Sequence, residues 1–178
     1  MGYSNSCLAV RGFTEEFVLS SLGLEKTVEQ AGPGRRDWGC ARVGDWTIVW
    51  SPRFEPRTFR DASSKFKGEV VLCDVEEHVM FVSASAFSDG TLSWRIAHDA
   101  QKARDHLAIE GKPPESFDRI RAEELARVNQ DREVDSIFEI PVRMAQEVIG
   151  FRHDAGPTPV FNILRAVASE TQPKWKFW

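Results

Sequence analysis

Hydrophobic positions follow two rhythms along the chain. Short apolar or alternating runs at residues 5–10, 38–43, 45–50, 70–75, 78–87 and 91–98 are bounded by turn formers, the signature of strands. Residues 26–31 read as one more strand. Within 45–50, Trp46, Ile48 and Trp50 share a face, because successive side chains of a strand alternate. The other rhythm is helical. Phe59, Ala62 and Phe66 recur on one side of a helix ending near Gly68, and Phe117, Ile120, Leu125 and Val128 give the stripe of an amphipathic helix over about 115–130. Thr14 before Glu15 and Glu16 caps a short helix over 14–22 that closes at Gly23, with Phe13 and Val18 at hydrophobic-staple spacing. Pro141 suits the first turn of a helix running through Val142 to Ile149 and ending at Gly150. Asp135 to Ile140 reads as a short extended run before it, and 160–168 as a last strand or helix.

The stretch 69–98 predicts register as well as elements. Glu76-Glu77 and Asp89-Gly90 separate three runs, and Asp-Gly is a strong two-residue hairpin signal because both positions need φ > 0. Two-residue turns at both places would set Val75 opposite His78, Cys73 opposite Met80, Ser85 opposite Trp94, Ser83 opposite Ile96 and Phe81 opposite His98. One face would then carry Val70, Leu72, Phe87, Leu92, Trp94 and Ile96. The other would carry Val71, Cys73, Val75, Met80, Val82 and Ala84. Both faces are apolar, so the sheet should be covered at least partly on both sides. Together these patterns predict an α+β fold: one domain over 1–178, a mainly antiparallel twisted sheet of about five to seven strands, and three to five packed helices. Residues 170–178 form a tail or an edge strand.

Composition narrows the function classes. The chain has 178 residues, 42% hydrophobic and 28% charged, an ordinary globular balance. Met1 to Ser6 has neither a basic nor an apolar leader region, and no apolar run approaches the roughly 20 residues of a membrane helix. A cytoplasmic protein without a membrane role is expected. The net charge of −4 argues against nucleic-acid binding. The charge is uneven: residues 68–140 hold 8 basic and 16 acidic side chains, a surface suited to steering a basic partner. Cys7, Cys40 and Cys73 form no C-x-x-C and read as small buried hydrophobes in a reducing compartment.

Candidate chemistry is sparse. No H-E-x-x-H, G-x-S-x-G, P-loop or dinucleotide fingerprint occurs, and neither a cofactor nor a metal is expected. His98 is the one weak catalytic candidate. It is either a core histidine holding a loop carbonyl or the base of a pocket formed with Ser83, Ser85 and Trp94. Gly32 to Arg36 is a flexible loop that offers backbone N–H groups and two guanidiniums to an anion. Cys73 and His78 stand near enough across a turn for a Cys–His pair, but apolar neighbours would raise the thiol pKa. The tail Lys174-Trp175-Lys176-Phe177-Trp178 alternates aromatic and basic residues, as an edge strand or a docking peptide.

Arg11-Gly12-Phe13-Thr14-Glu15-Glu16-Phe17-Val18-Leu19 with Leu22-Gly23, followed by Gly44-Asp45-Trp46-Thr47, resembles a group of uncharacterised bacterial domains. They share an R-G-x-T-x-E-x-V-L-x-x-L-G helix and a G-x-W-T strand. The resemblance spans residues 5–98 and implies no catalytic residue. Small acidic α+β proteins of this look are often immunity proteins paired with toxins. The expectation is therefore a non-enzymatic, cytoplasmic protein-binding module of the immunity type. Asp118, Glu123, Glu124, Trp175 and Trp178 are its candidate partner contacts. The alternative is a small-molecule binder or enzyme with its pocket near Trp94 and His98.

Overall fold

The computed structural model describes residues 2–31, 37–128, 135–156 and 159–167. The Gly32–Arg36 loop and the aromatic tail with Trp175 and Trp178 lie outside these residues. The chain is α+β. Among the described residues nine strands form one sheet: β1 (Ser4–Arg11), β2 (Leu24–Ala31), β3 (Gly39–Val43), β4 (Trp46–Ser51), β5 (Glu69–Glu76), β6 (Phe81–Ser88), β7 (Thr91–Asp99), β8 (Ala108–Gly111) and β9 (Phe161–Ala166). Their spatial order is β2-β9-β3-β4-β1-β5-β6-β7-β8, and neighbouring strands pair antiparallel. This exceeds the five to seven strands expected. The added strand β8 follows Asp99, where the sequence offers only a short mixed run before Gly111-Lys112-Pro113-Pro114.

Four helices among the described residues cover the sheet: α1 (Glu15–Leu22), α2 (Pro56–Ser63), α3 (Ser116–Val128) and α4 (Ser136–Ile149). Helix α1 starts where Thr14 Oγ1 accepts from Phe17 N, and ends at Gly23 with φ +69. Phe13 stacks on Phe17 at 5.2 Å. Helices α1 and α2 cover one face through a core that includes Leu8, Val49, Phe59, Phe66 and Leu72. Helices α3 and α4 cover the other through Ile48, Val71, Ile96, Ile120 and Met144. Trp46, Ile48 and Trp50 lie together in this second core.

Two registers depart from simple hairpins, with opposite consequences. Between β5 and β6, a 3-10 turn over Glu77–Val79 and Met80 at φ +52 lengthen the connection, so Val75 pairs with Val82 and Cys73 with Ala84. Relative to His78 and Met80 this slip is even, and it leaves the faces unchanged. Between β6 and β7 the Asp89-Gly90 turn has both φ positive, and Phe87 opposes Leu92 as expected. A bulge then brings Ala86 opposite Trp94 and Ser85 opposite Arg95. One extra residue flips every later side chain to the other face. Trp94 and Ile96 therefore join Val71 and Val82 beneath α3 and α4, not Val70 and Leu72.

Helix α4 also corrects the sequence reading. Residues 135–140 are not extended. Asp135 caps a helix that runs from Ser136, accepting from Phe138 N at 3.3 Å, and Pro141 sits inside it. An interior proline costs about 3 kcal/mol. Burying Ile137, Phe138, Ile140, Val142 and Met144 offsets that cost.

Candidate functional site

The four residues expected to share a pocket divide between the two faces. Trp94 and His98 lie on the α3–α4 side. Ser83 and Ser85 lie on the α2 side with Asp74 and Leu72, their partners across β5. There a polar row crosses the sheet, pairing Ser51 with Ser6, Ser6 with Asp74 and Asp74 with Ser83, all buried. Ser6 Oγ donates to Asp74 Oδ1 at 2.6 Å and accepts from Glu55 N at 2.8 Å, which fixes the entry to α2. Burial raises the Asp74 carboxyl to about 6. The Ser6 and Ser83 hydroxyls and the Arg60 and Arg95 guanidiniums oppose that rise. Arg95 itself is held by Glu110 at 3.1 Å.

His98 is fully buried. Its Nδ1 lies 2.7 Å from the His106 carbonyl oxygen and its Nε2 lies 3.1 Å from Asp135 Oδ2. Both ring nitrogens therefore lie against oxygens of neighbouring segments. His106 Nδ1 in turn accepts from Asp99 N at 3.0 Å. His98 thus ties β7, the 99–107 loop and the cap of α4 together. Buried and bounded at both nitrogens, the ring faces structural partners rather than an open pocket.

The expected acidic contacts on α3 are mostly committed internally. Glu124 is 0% exposed, and its carboxylate is bound by Arg143 and by Arg127, the latter at 3.1 Å. It takes the core-facing place after Phe117 and Ile120, while Leu125 is exposed. Glu123 pairs with Arg143 and Arg119. Asp118 lies exposed in the first turn. The stretch therefore presents a neutralised surface rather than an acidic one.

The open surface that the structure does build centres on Arg11, which lies over the buried Trp46 ring. Both stand at ends of strands that pair directly, Arg11 opposite Trp46. The guanidinium lies 5.7 Å from the Trp46 ring centroid and pairs with Glu69 at 3.0 Å and with Asp45 at 3.5 Å. On one side of this cluster is a groove of about 260 Å3 between Trp46 and Trp94, with Val71 and Ala86 among its apolar residues and Pro114 and Val148 beside them. On the other side is a charged basin of about 630 Å3 that includes Glu15, Lys26, Arg42 and Asp45. Arg11 lines both. Gly111 packs against Ser93, which lines the groove. Its φ is +70, and a Cβ there would fall 2.2 Å from the Ser93 carbonyl oxygen, so only glycine lets β8 close against this end of β7.

Sequence reasoning passed over Arg11 and Trp46 as site residues. The residues stand in two short stretches, Arg11-Gly12 and Asp45-Trp46. What was missing was the β1–β4 pairing that joins them. Among the described residues, no group of three or more His, Cys, Asp or Glu side chains is placed to hold a metal ion. No helix among them is long and apolar enough to cross a membrane. No protein-family model matches the chain, and neither a curated protein nor a solved structure matches it.

Proposed function

We propose that the chain is a non-catalytic protein-binding module of the immunity type, which blocks a bacterial toxin in the cytoplasm by docking through the Arg11–Trp46 surface. The observation that carries this reading is Arg11 standing between two depressions, a groove with Trp46, Trp94, Glu69 and Ser93 in its lining and a basin edged by Glu15, Lys26, Arg42 and Asp45. Protein interfaces combine an apolar centre with a polar rim, and tryptophan and arginine are favoured where binding energy concentrates. The partner would place an apolar side chain between Trp46 and Trp94 and meet Glu69, Asp45, Lys26 and Arg42 with complementary charge. Capture from source cells tests it. Wild-type protein should hold one toxin-like partner stoichiometrically and inhibit its activity. Ser93→Arg at the exposed groove rim should lose at least tenfold in affinity while melting normally. Equal binding by both forms would remove the groove from the account.

A second reading rests on the same groove. Its volume of about 260 Å3 and its mixed lining of indoles, Glu69 and Ser93 suit a small ligand with both apolar and polar parts. Trp94 then remains in the site and His98 does not. A compound that raises the melting temperature of wild type but not of Ser93→Arg, with no protein captured, would favour this reading.

A further inference from the structure

A smaller cavity lies on the other side of Trp50, under the C-terminal half of α4. Its floor is a row across three strands: Trp50 of β4 pairs with Cys7 of β1, and Cys7 pairs with Cys73 of β5. Asn5 follows two residues away on the same face of β1. Val142, Ala145 and Ile149 of α4 form the roof, and His153 closes one end. The space for a water-sized centre is about 10 Å3.

Three polar atoms of the residues lining this cavity have no hydrogen-bond partner among the described residues: Asn5 Nδ2, Trp50 Nε1 and His153 Nε2. Asn5 is 2% exposed, Trp50 is 4% exposed and the His153 side chain 8%. A buried polar group without a partner costs about 1–3 kcal/mol, so three around one cavity need a common explanation. The neighbouring protein groups do not supply it. The α4 roof is apolar. The Cys7 and Cys73 thiols are kept protonated by burial and are weak partners. Arg152, also in the lining, is committed to Glu139 and Asp154.

We infer that this cavity is a binding site for one water molecule, which accepts from Asn5 Nδ2 and Trp50 Nε1 and donates to His153 Nε2. About 10 Å3 is the least space that holds a water, and buried waters make about three hydrogen bonds. The donor pattern selects water over a halide ion. Trp Nε1 and Asn Nδ2 only donate. With its proton on Nδ1, the side toward Asp154 Oδ1 at 3.9 Å, His153 keeps a lone pair on Nε2. A ligand that both accepts and donates is required, and a halide cannot donate. The water joins β1, β4 and the segment after α4, so it pins the end of α4 to the centre of the sheet.

The test is a crystal structure of the full chain grown in bromide, with data collected at the bromine edge, together with water-selective NMR of the protein in solution. The expected result is water density within hydrogen-bond distance of all three atoms, no anomalous peak, and a bound-water cross-peak at the Trp50 indole proton. In Trp50→Phe the density should fall at least twofold in occupancy. In Asn5→Leu, which keeps the side chain's size, the indole cross-peak should weaken at least twofold. An anomalous bromide peak would replace water by an anion and overturn the assignment. A dry cavity with no cross-peak in the wild type would overturn it as well, whatever the variants do.

Discussion

On the α3–α4 side of the sheet, Glu124 is sealed beneath Arg143 and Arg127. On the α2 side, Asp74 is just as deeply buried but is held chiefly by the hydroxyls of Ser6 and Ser83, with Arg60 and Arg95 acting through their charge. Two buried acids in one small protein are therefore accommodated by different chemistry. A carboxylate bound by two guanidiniums fastens α3 to α4. A carboxylate bound by hydroxyls pays more of its own desolvation, which is why burial lifts Asp74 to about 6. The α3–α4 layer is locked by charge, and the α2 face carries a group whose charge state changes near neutral pH.

The largest effect should come from breaking the locked side. Arg143→Met leaves the buried Glu124 with only Arg127, whose side chain is 63% exposed. A loss of about 3–5 kcal/mol in urea unfolding is expected. Replacing both, Arg143→Met with Glu124→Leu, should restore most of it. A double variant no better than the single one would show that packing rather than pairing is at stake.

The next effect has the opposite sign. An acid whose folded pKa exceeds its unfolded value binds its proton more tightly when folded. The Asp74 contribution thus favours the fold below the ordinary value of 3.8 and is lost as pH rises through about 6. The loss is on the order of 2–3 kcal/mol. Asp74→Asn keeps an acceptor for Ser6 and removes the charge, so it should be more stable than wild type at pH 8 and flatten the slope between pH 4 and 6. Wild-type stability independent of pH across that range would refute the assignment. The smallest effect is Ser83→Ala. It removes one hydroxyl from Asp74, should cost about 1 kcal/mol at pH 8, and should move the midpoint of the pH transition upward. Ser85→Ala, on the same face beside Leu72, should leave that midpoint in place.

Much of the fold was legible in the sequence, and the failures are local and physical. Thr14, Gly23, Asp89-Gly90 and the Trp46-Ile48-Trp50 alternation act through nearest neighbours, and the structure follows them. The bulge after Ala86 has no local signal strong enough to read, yet it alone separated Ser83 and Ser85 from Trp94 and His98. Glu124 was hidden because a charged residue at a core position makes sense only once Arg143 from another helix meets it. Pro141 looked like a helix start, but the apolar residues before it prevail over the missing N–H. The open surface was less legible still. Arg11 and Trp46 are far apart in sequence, and only strand pairing makes them neighbours.

The claim that this surface is where the protein acts is tested most directly by placing a photo-crosslinking amino acid at two exposed positions. One is Ser93 on the groove rim, and the other is Val28 on the edge strand β2. Irradiated in source cells, the Ser93 probe should yield one protein adduct that the Val28 probe does not. Adducts to the same protein from Val28 alone, or none from Ser93 while the partner still co-purifies, would contradict the account.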